Sequence, residues 1–96
     1  MGKGYWITFY HHVGNPAVLG EYAKLATPVV QAHGGRFLSR GMPVKTYEAG
    51  LQERSVVVEF NSVQDAIAAY ESPEYKKAIE VLGEAKRDVR ILEGIS

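Results

Sequence analysis

Apolar and polar positions change period along this chain, and the changes mark its elements. Tyr5 to His11 concentrates aromatic and β-branched residues, which predicts a first strand closed by Gly14 and Asn15. Asn15 is a good helix cap and Pro16 suits the first helical position. From there the apolar residues fall at helical spacing, Leu19, Tyr22, Ala26, Val29 and Val30, and predict a helix to about His33. Pro28 lies inside it and removes a donor, so a kink or break is expected near Lys24 to Thr27.

Gly34 and Gly35 can take the positive φ that ends a helix. Arg36 to Gly41 then alternates as a second, half-buried strand, and Gly41-Met42-Pro43 suits a bend before Val44 to Glu48 resumes an extended pattern. Ala49 to Gln52 is expected to be a hairpin turn. Arg54 to Phe60 is nearly continuous in apolar residues, as a strand in the middle of a sheet should be. Asn61 or Ser62 caps the next helix with Asp65 as its acidic partner, and Val63, Ala66, Ile67 and Tyr70 form its apolar stripe. A second helical piece restarts at Ser72-Pro73, with Tyr75, Ala78, Ile79 and Leu82 facing inward, and Val89 to Glu93 is a final strand.

The order is β-α-β-β-α-β, an α+β ferredoxin-like arrangement that sets a four-stranded antiparallel sheet under helices on one face. One helix layer covers one sheet face. The aromatic and aliphatic residues of the strands argue against leaving the other face in water, so a second copy laid against it, closing a dimeric α/β barrel, is expected.

Ninety-six residues allow a single domain over 1–96 with one two-layer core. Eleven basic and eleven acidic residues cancel, so nothing draws the chain to nucleic acid or to an anionic membrane surface. There is no cysteine, which removes thiolate chemistry and cysteine metal sites and fits a cytoplasmic setting. Met1 to Trp6 has no apolar signal core, and apolar runs such as Val56-Val57-Val58 are too short for a membrane span of about 20 residues.

Several of these residues together resemble a known family. Tyr5-Trp6-Ile7, Glu21-Tyr22, Gly34-Gly35-Arg36-Phe37-Leu38, Arg40-Gly41, Glu48, Arg54, Val57-Val58-Glu59-Phe60, Ala66, Tyr70 and Ser72-Pro73-Glu74-Tyr75 are similar to the bacterial family called domain of unknown function 1330, within the dimeric α/β-barrel group. The resemblance covers nearly the whole chain. It implies a ferredoxin-like fold and a homodimer, and it brings no established activity.

Candidate chemistry is sparse. Glu59 interrupts an apolar strand, and a buried carboxylate costs several kcal/mol unless paired. Counted back through a hairpin centred near Gly50, Glu59 lies opposite Met42 with Arg40 one bulge away, so a buried Arg40–Glu59 pair is expected, either as a structural ion pair or as a pocket wall. Arg36 and Arg40 share a face if their strand is regular, and their forked guanidinium groups suit a ligand carboxylate or phosphate. Trp6, Tyr10, Tyr70 and Tyr75 either pack the core or line an apolar pocket with hydroxyls for orientation. His11 and His12 point to opposite strand faces, and His33 suits a helix C-terminus, so no metal site is expected. Gly34-Gly35 follows a helix and precedes a strand, the reverse of a dinucleotide loop, and no cofactor is called for. Two functions remain: a homodimeric, non-catalytic or small-metabolite-binding module, and, as the alternative, a cofactor-independent enzyme of monooxygenase or isomerase type with its pocket at Glu59 and Arg40.

Overall fold

A computed structural model describes residues 2–95. The elements follow in the order β1 (Gly4–His12), α1 (Ala17–Ala32), β2 (Arg36–Gly41), β3 (Ser55–Phe60), α2 (Val63–Glu71), α3 (Pro73–Leu82) and β4 (Lys86–Glu93). The strands form one antiparallel sheet in the order β2-β3-β1-β4, with the helices on one face: a ferredoxin-like fold. The shortest dimension is 16 Å, that of two layers and no more.

Local chemistry explains most boundaries. The Asn15 side chain accepts a hydrogen bond from the Ala17 amide at 3.0 Å while Pro16 is already helical, so Asn15 caps α1. Ser62 accepts from the Asp65 amide and Ser72 from the Tyr75 amide, the second with Pro73 directly behind it, and each such cap is worth about 1 kcal/mol. Ser72 also donates to the Ala69 carbonyl, which closes α2 as α3 begins.

Pro28 does not break α1. The helix runs unbroken from Ala17 to Ala32, because Pro28 and Lys24 both lie on its exposed side, where water can satisfy the carbonyl that the proline leaves without a donor. Val44 to Glu48 is not extended, and no hairpin joins β2 to β3. The connection from Met42 to Arg54 is a loop tied by Gly50 N–H to the Tyr47 carbonyl and by the Gln52 amide to the Pro43 carbonyl. Two other expectations shift. β4 begins three residues earlier, at Lys86, and α2 buries Ala66 and Ala69 while Ile67 stays exposed.

Along β1 the residues alternate between faces: Trp6, Thr8 and Tyr10 look toward the helices, while Tyr5, Ile7 and Phe9 look away. Trp6 is the hub of the core. Its ring stands edge-on to Tyr75 at 4.9 Å and to Tyr70 at 5.5 Å, and stacks on Phe60 at 6.1 Å between centroids. Such pairs add about 0.5–1.5 kcal/mol each beyond the area they bury. The loop after α1 passes close to this core. A Cβ on Gly35 would meet Val30 Cγ1 at 2.5 Å and the Phe60 ring at 2.9 Å, so only glycine lets β2 enter the sheet here.

Gly35→Ala is therefore expected to destabilise the protein by about 1–3 kcal/mol, since both neighbours are part of the packed core. Urea unfolding is the measurement. An unchanged midpoint would show that the backbone yields at this point.

Candidate functional site

The single helix layer leaves the sheet with two chemically different faces. On the helix side, β1, β2, β3 and β4 present Thr8, Arg40, Val56 and Val89 in one cross-strand row, and Arg54, Tyr10 and Arg87 in the next. α1 lies above these rows and offers small residues, Ala23, Ala26 and Thr27, between the larger Leu19 and Tyr22. The small side chains leave a cleft of about 40 Å³ between helix and sheet. Trp6, Val30, Phe37 and Val58 form its apolar end, Arg54 and Arg87 flank Tyr10 at the other, and Arg40, one row nearer the middle, carries its guanidinium over Phe37.

The three arginines are held differently. Arg87 Nη1 donates to the hydroxyls of both Tyr22 and Tyr75 at 3.2 Å, and the two hydroxyls also hydrogen-bond to each other. Its guanidinium lies 5.7 Å from the Tyr10 ring centre and 5.3 Å from that of Tyr22, within cation–π range. Arg40 rests 4.5 Å over the Phe37 ring. Among the described residues, none of the three has a carboxylate within 4.0 Å. Burial pushes the phenols of Tyr10 and Tyr75 upward, so both stay protonated at neutral pH. Thr8 is occupied, accepting the Trp6 indole N–H at 2.9 Å.

On the open face, Arg36, Glu59 and Tyr5 stand in one row across β2, β3 and β1. Arg36 Nη2 and Nε donate to Glu59 Oε1 at 2.8 and 3.2 Å, and the Tyr5 hydroxyl donates to Oε2 at 2.9 Å. The Arg36 guanidinium, followed by the Tyr5 hydroxyl, holds the Glu59 carboxyl below its ordinary value. Its acceptance of the Tyr5 proton holds that phenol up.

The expected Arg40–Glu59 pair is thus replaced by Arg36–Glu59. Register and one extra residue decide it, since Arg36 lies directly opposite Glu59. Phe37 pairs with Val58 and Ser39 with Val57, so Leu38 is an extra residue, and this bulge sends Arg40 to the helix side while Arg36 stays on the other. Glu59, with 18% of its side chain exposed, is half-buried and lies outside the cleft. Of the remaining candidates, Trp6 and Tyr10 line the cleft, Tyr75 stands behind it and holds Arg87 through its hydroxyl, and Tyr70 sits beyond Trp6 beside Ile67 and Val89. Sequence reasoning missed Arg54, Arg87, Tyr22 and Thr8. The signal for Arg87 was its parity with Val89 and Ile91, which places it on the buried side of β4. His11 and His12 are exposed, and His33 caps α1 through Nδ1 to the Val29 carbonyl at 2.9 Å. No group of three metal-ligating side chains is found among the described residues. No helix among them is long and apolar enough to cross a membrane.

The model of the domain of unknown function DUF1330 matches residues 3–95. The chain belongs to that family. This DUF1330 chain has no match among curated proteins. Among solved structures it is similar to a protein of unknown function from Rhodopseudomonas palustris, at 15% identity over 99% of this chain and 84% of that one, with a TM-score of 0.73. A dimeric ferredoxin-like protein of unknown function from Thermobifida fusca has 12% identity over 96% and 91% of the two chains and a TM-score of 0.67. SnoaB, a cofactor-independent oxygenase from Streptomyces nogalater, has 10% identity over 100% and 96%, with a TM-score of 0.69. At these identities the DUF1330 chain shares their fold.

Because its partners hold Glu59 below the ordinary 4.5, its stabilising contribution is complete above that pH and is lost as the pH falls through the folded value. In urea titrations carried from neutral to acid pH, Glu59→Gln is expected to lose stability less steeply than the parent across this window. Identical slopes would show that the Arg36–Glu59–Tyr5 row carries no linkage.

Proposed function

We propose that this DUF1330 protein is a homodimeric, non-catalytic small-molecule-binding protein whose ligand enters the cleft between α1 and the sheet. The observation that carries the proposal is that Arg40, Arg54 and Arg87 line one concave, largely apolar space, with no carboxylate within 4.0 Å of any of them among the described residues. Partly apolar clefts with a few convergent polar groups are the usual form of a small-molecule site.

An enzyme of the cofactor-independent oxygenase type is the second reading. Its support is the likeness to SnoaB and the hydroxyl cluster of Tyr22 and Tyr75 beside a cation. Protonation places it second. The residues lining the cleft include no histidine, carboxylate or lysine, the usual general bases, and burial moves Tyr10 away from neutrality.

The homodimer rests on the open face. Ile7, Phe9, Val57 and Leu92 form its apolar middle, and Phe9, Leu38 and Leu92 are 41%, 54% and 50% exposed in the isolated protomer. Beside them the Met42–Arg54 loop and β1 frame a groove with Tyr47 and Leu51 on its rim. A second copy of the chain covers this face, with Arg40 bordering both the groove and the cleft, and relatives of the same fold from Thermobifida fusca and Bacteroides fragilis are described as dimeric.

Two measurements follow. In a thermal-shift screen of metabolites, a hit present at about 100 times its Kd stabilises by about 2.7 kcal/mol. Ala23→Met, whose flexible side chain occupies the cleft, is expected to keep the fold and abolish the shift, and hits that survive it would place binding elsewhere. In sedimentation at micromolar protein, the parent is expected at twice the 10.6 kDa protomer mass and Ile7→Asp as a monomer. A monomeric parent would defeat the open-face assembly.

A further inference from the structure

We infer that the ligand of the cleft is a short-chain carboxylate, bound head-first by Arg40, Arg54 and Arg87 with its hydrocarbon tail toward Trp6. The inference rests on the cleft-binding reading above and adds the chemical class. Charge and volume both restrict that class.

The charge restriction comes from what the arginines lack. Each guanidinium carries five N–H donors and no acceptor. Arg87 spends one nitrogen on the Tyr22 and Tyr75 hydroxyls, and the Arg40 guanidinium lies 4.5 Å from the Phe37 ring centre. Neither arrangement neutralises charge. The tyrosines are uncharged donors and acceptors, Glu59 is on the far side of the sheet, and no described carboxylate lies within 4.0 Å of the three. Three cations lining one partly apolar cleft, with no described carboxylate within 4.0 Å of any of them, make its potential positive, and an entering anion is attracted more strongly there than it would be in water. A neutral or cationic ligand gains nothing from that potential. Planar forks of this kind suit a carboxylate, which accepts two parallel hydrogen bonds.

The volume restriction comes from α1. A water-sized group needs about 10–15 Å³ on this measure, so 40 Å³ holds about three of them. An aromatic ring needs far more, since a cavity of about 150 Å³ is what takes benzene. That volume takes a tail of about three carbons under Ala23 and Ala26, with the carboxylate head outside it at the mouth, where Arg40 is exposed and Arg54 and Arg87 are part-exposed. The cross-strand register sets the direction: Arg54, Tyr10 and Arg87 share the row at one end, and Phe37, Val58 and Trp6 the row at the other.

Chemical-shift titrations of the dimer with acetate, butyrate, hexanoate, butyramide and inorganic phosphate, at constant ionic strength, test this. Butyrate is expected to bind saturably with shifts at Ala23, Ala26 and the arginine row, hexanoate more weakly because its tail outgrows the cleft, and butyramide not at all. Arg54→Met is expected to weaken butyrate by about 10- to 100-fold, the loss of one charge-assisted hydrogen-bonding partner. Arg40→Met, on an exposed side chain, serves as the second variant should Arg54→Met unfold. Butyramide binding as well as butyrate, with both blocked by Ala23→Met, would overturn the anion class and leave the cleft reading standing. Phosphate binding without any carboxylate would overturn the carboxylate head. A thermal-shift hit blocked by Ala23→Met together with no binding of any probe here would overturn the short-chain class, whereas no cleft ligand in either experiment would overturn the cleft reading itself.

Discussion

The packing of Trp6 governs the interior. Tyr75, Tyr70 and Phe60 surround its indole, and its N–H is spent on Thr8, so the space beneath α2 and α3 is filled by aromatic rings with no polar atom left over. Nothing equivalent fills the space beneath α1. That helix presents alanines and a threonine to the sheet, and the difference in side-chain size between the two halves of the helix layer is the physical origin of the cleft.

The same asymmetry explains where charge can be tolerated. In the aromatic half a buried cation would have no partner. At the open end of the alanine half, Tyr22 and Tyr75 reach over from either helix and hold Arg87 by their hydroxyls, and water still reaches Arg40. Tyr75 therefore serves both halves, its ring closing the core around Trp6 and its hydroxyl bonding Arg87 and Tyr22, which line the cleft. Stability and site are coupled through that one residue. Core packing and the position of Arg87 change together when it changes.

The bulge at Leu38 separates two systems of charge that a regular strand would have merged. Arg36 joins Glu59 and Tyr5 on the open face, in a row whose charges are already matched. Arg40 goes to the other face, where no described carboxylate lies within 4.0 Å of it. An ion pair next to the expected dimer surface and an uncompensated cationic site within the protomer thus come from two arginines four residues apart.

The sequence by itself determined what depends on neighbours along the chain. The caps at Asn15, Ser62 and Ser72, the helical stripes, the alternation of β1 and the glycine junction before Arg36 are all local, and together they specify the ferredoxin-like order and the family. Glu59 was recognisable as a residue needing a cation, because its apolar flanks are visible in the sequence. Its partner was not. Which arginine meets it depends on a register that runs through a loop without hairpin geometry and through a one-residue bulge, and a bulge leaves no period to read. Only the tertiary structure decided that Arg40 and Arg87, from two strands, and Arg54, from the end of a loop, would line one cleft, since this follows from strand order and pairing and from the small side chains of a helix far away in sequence.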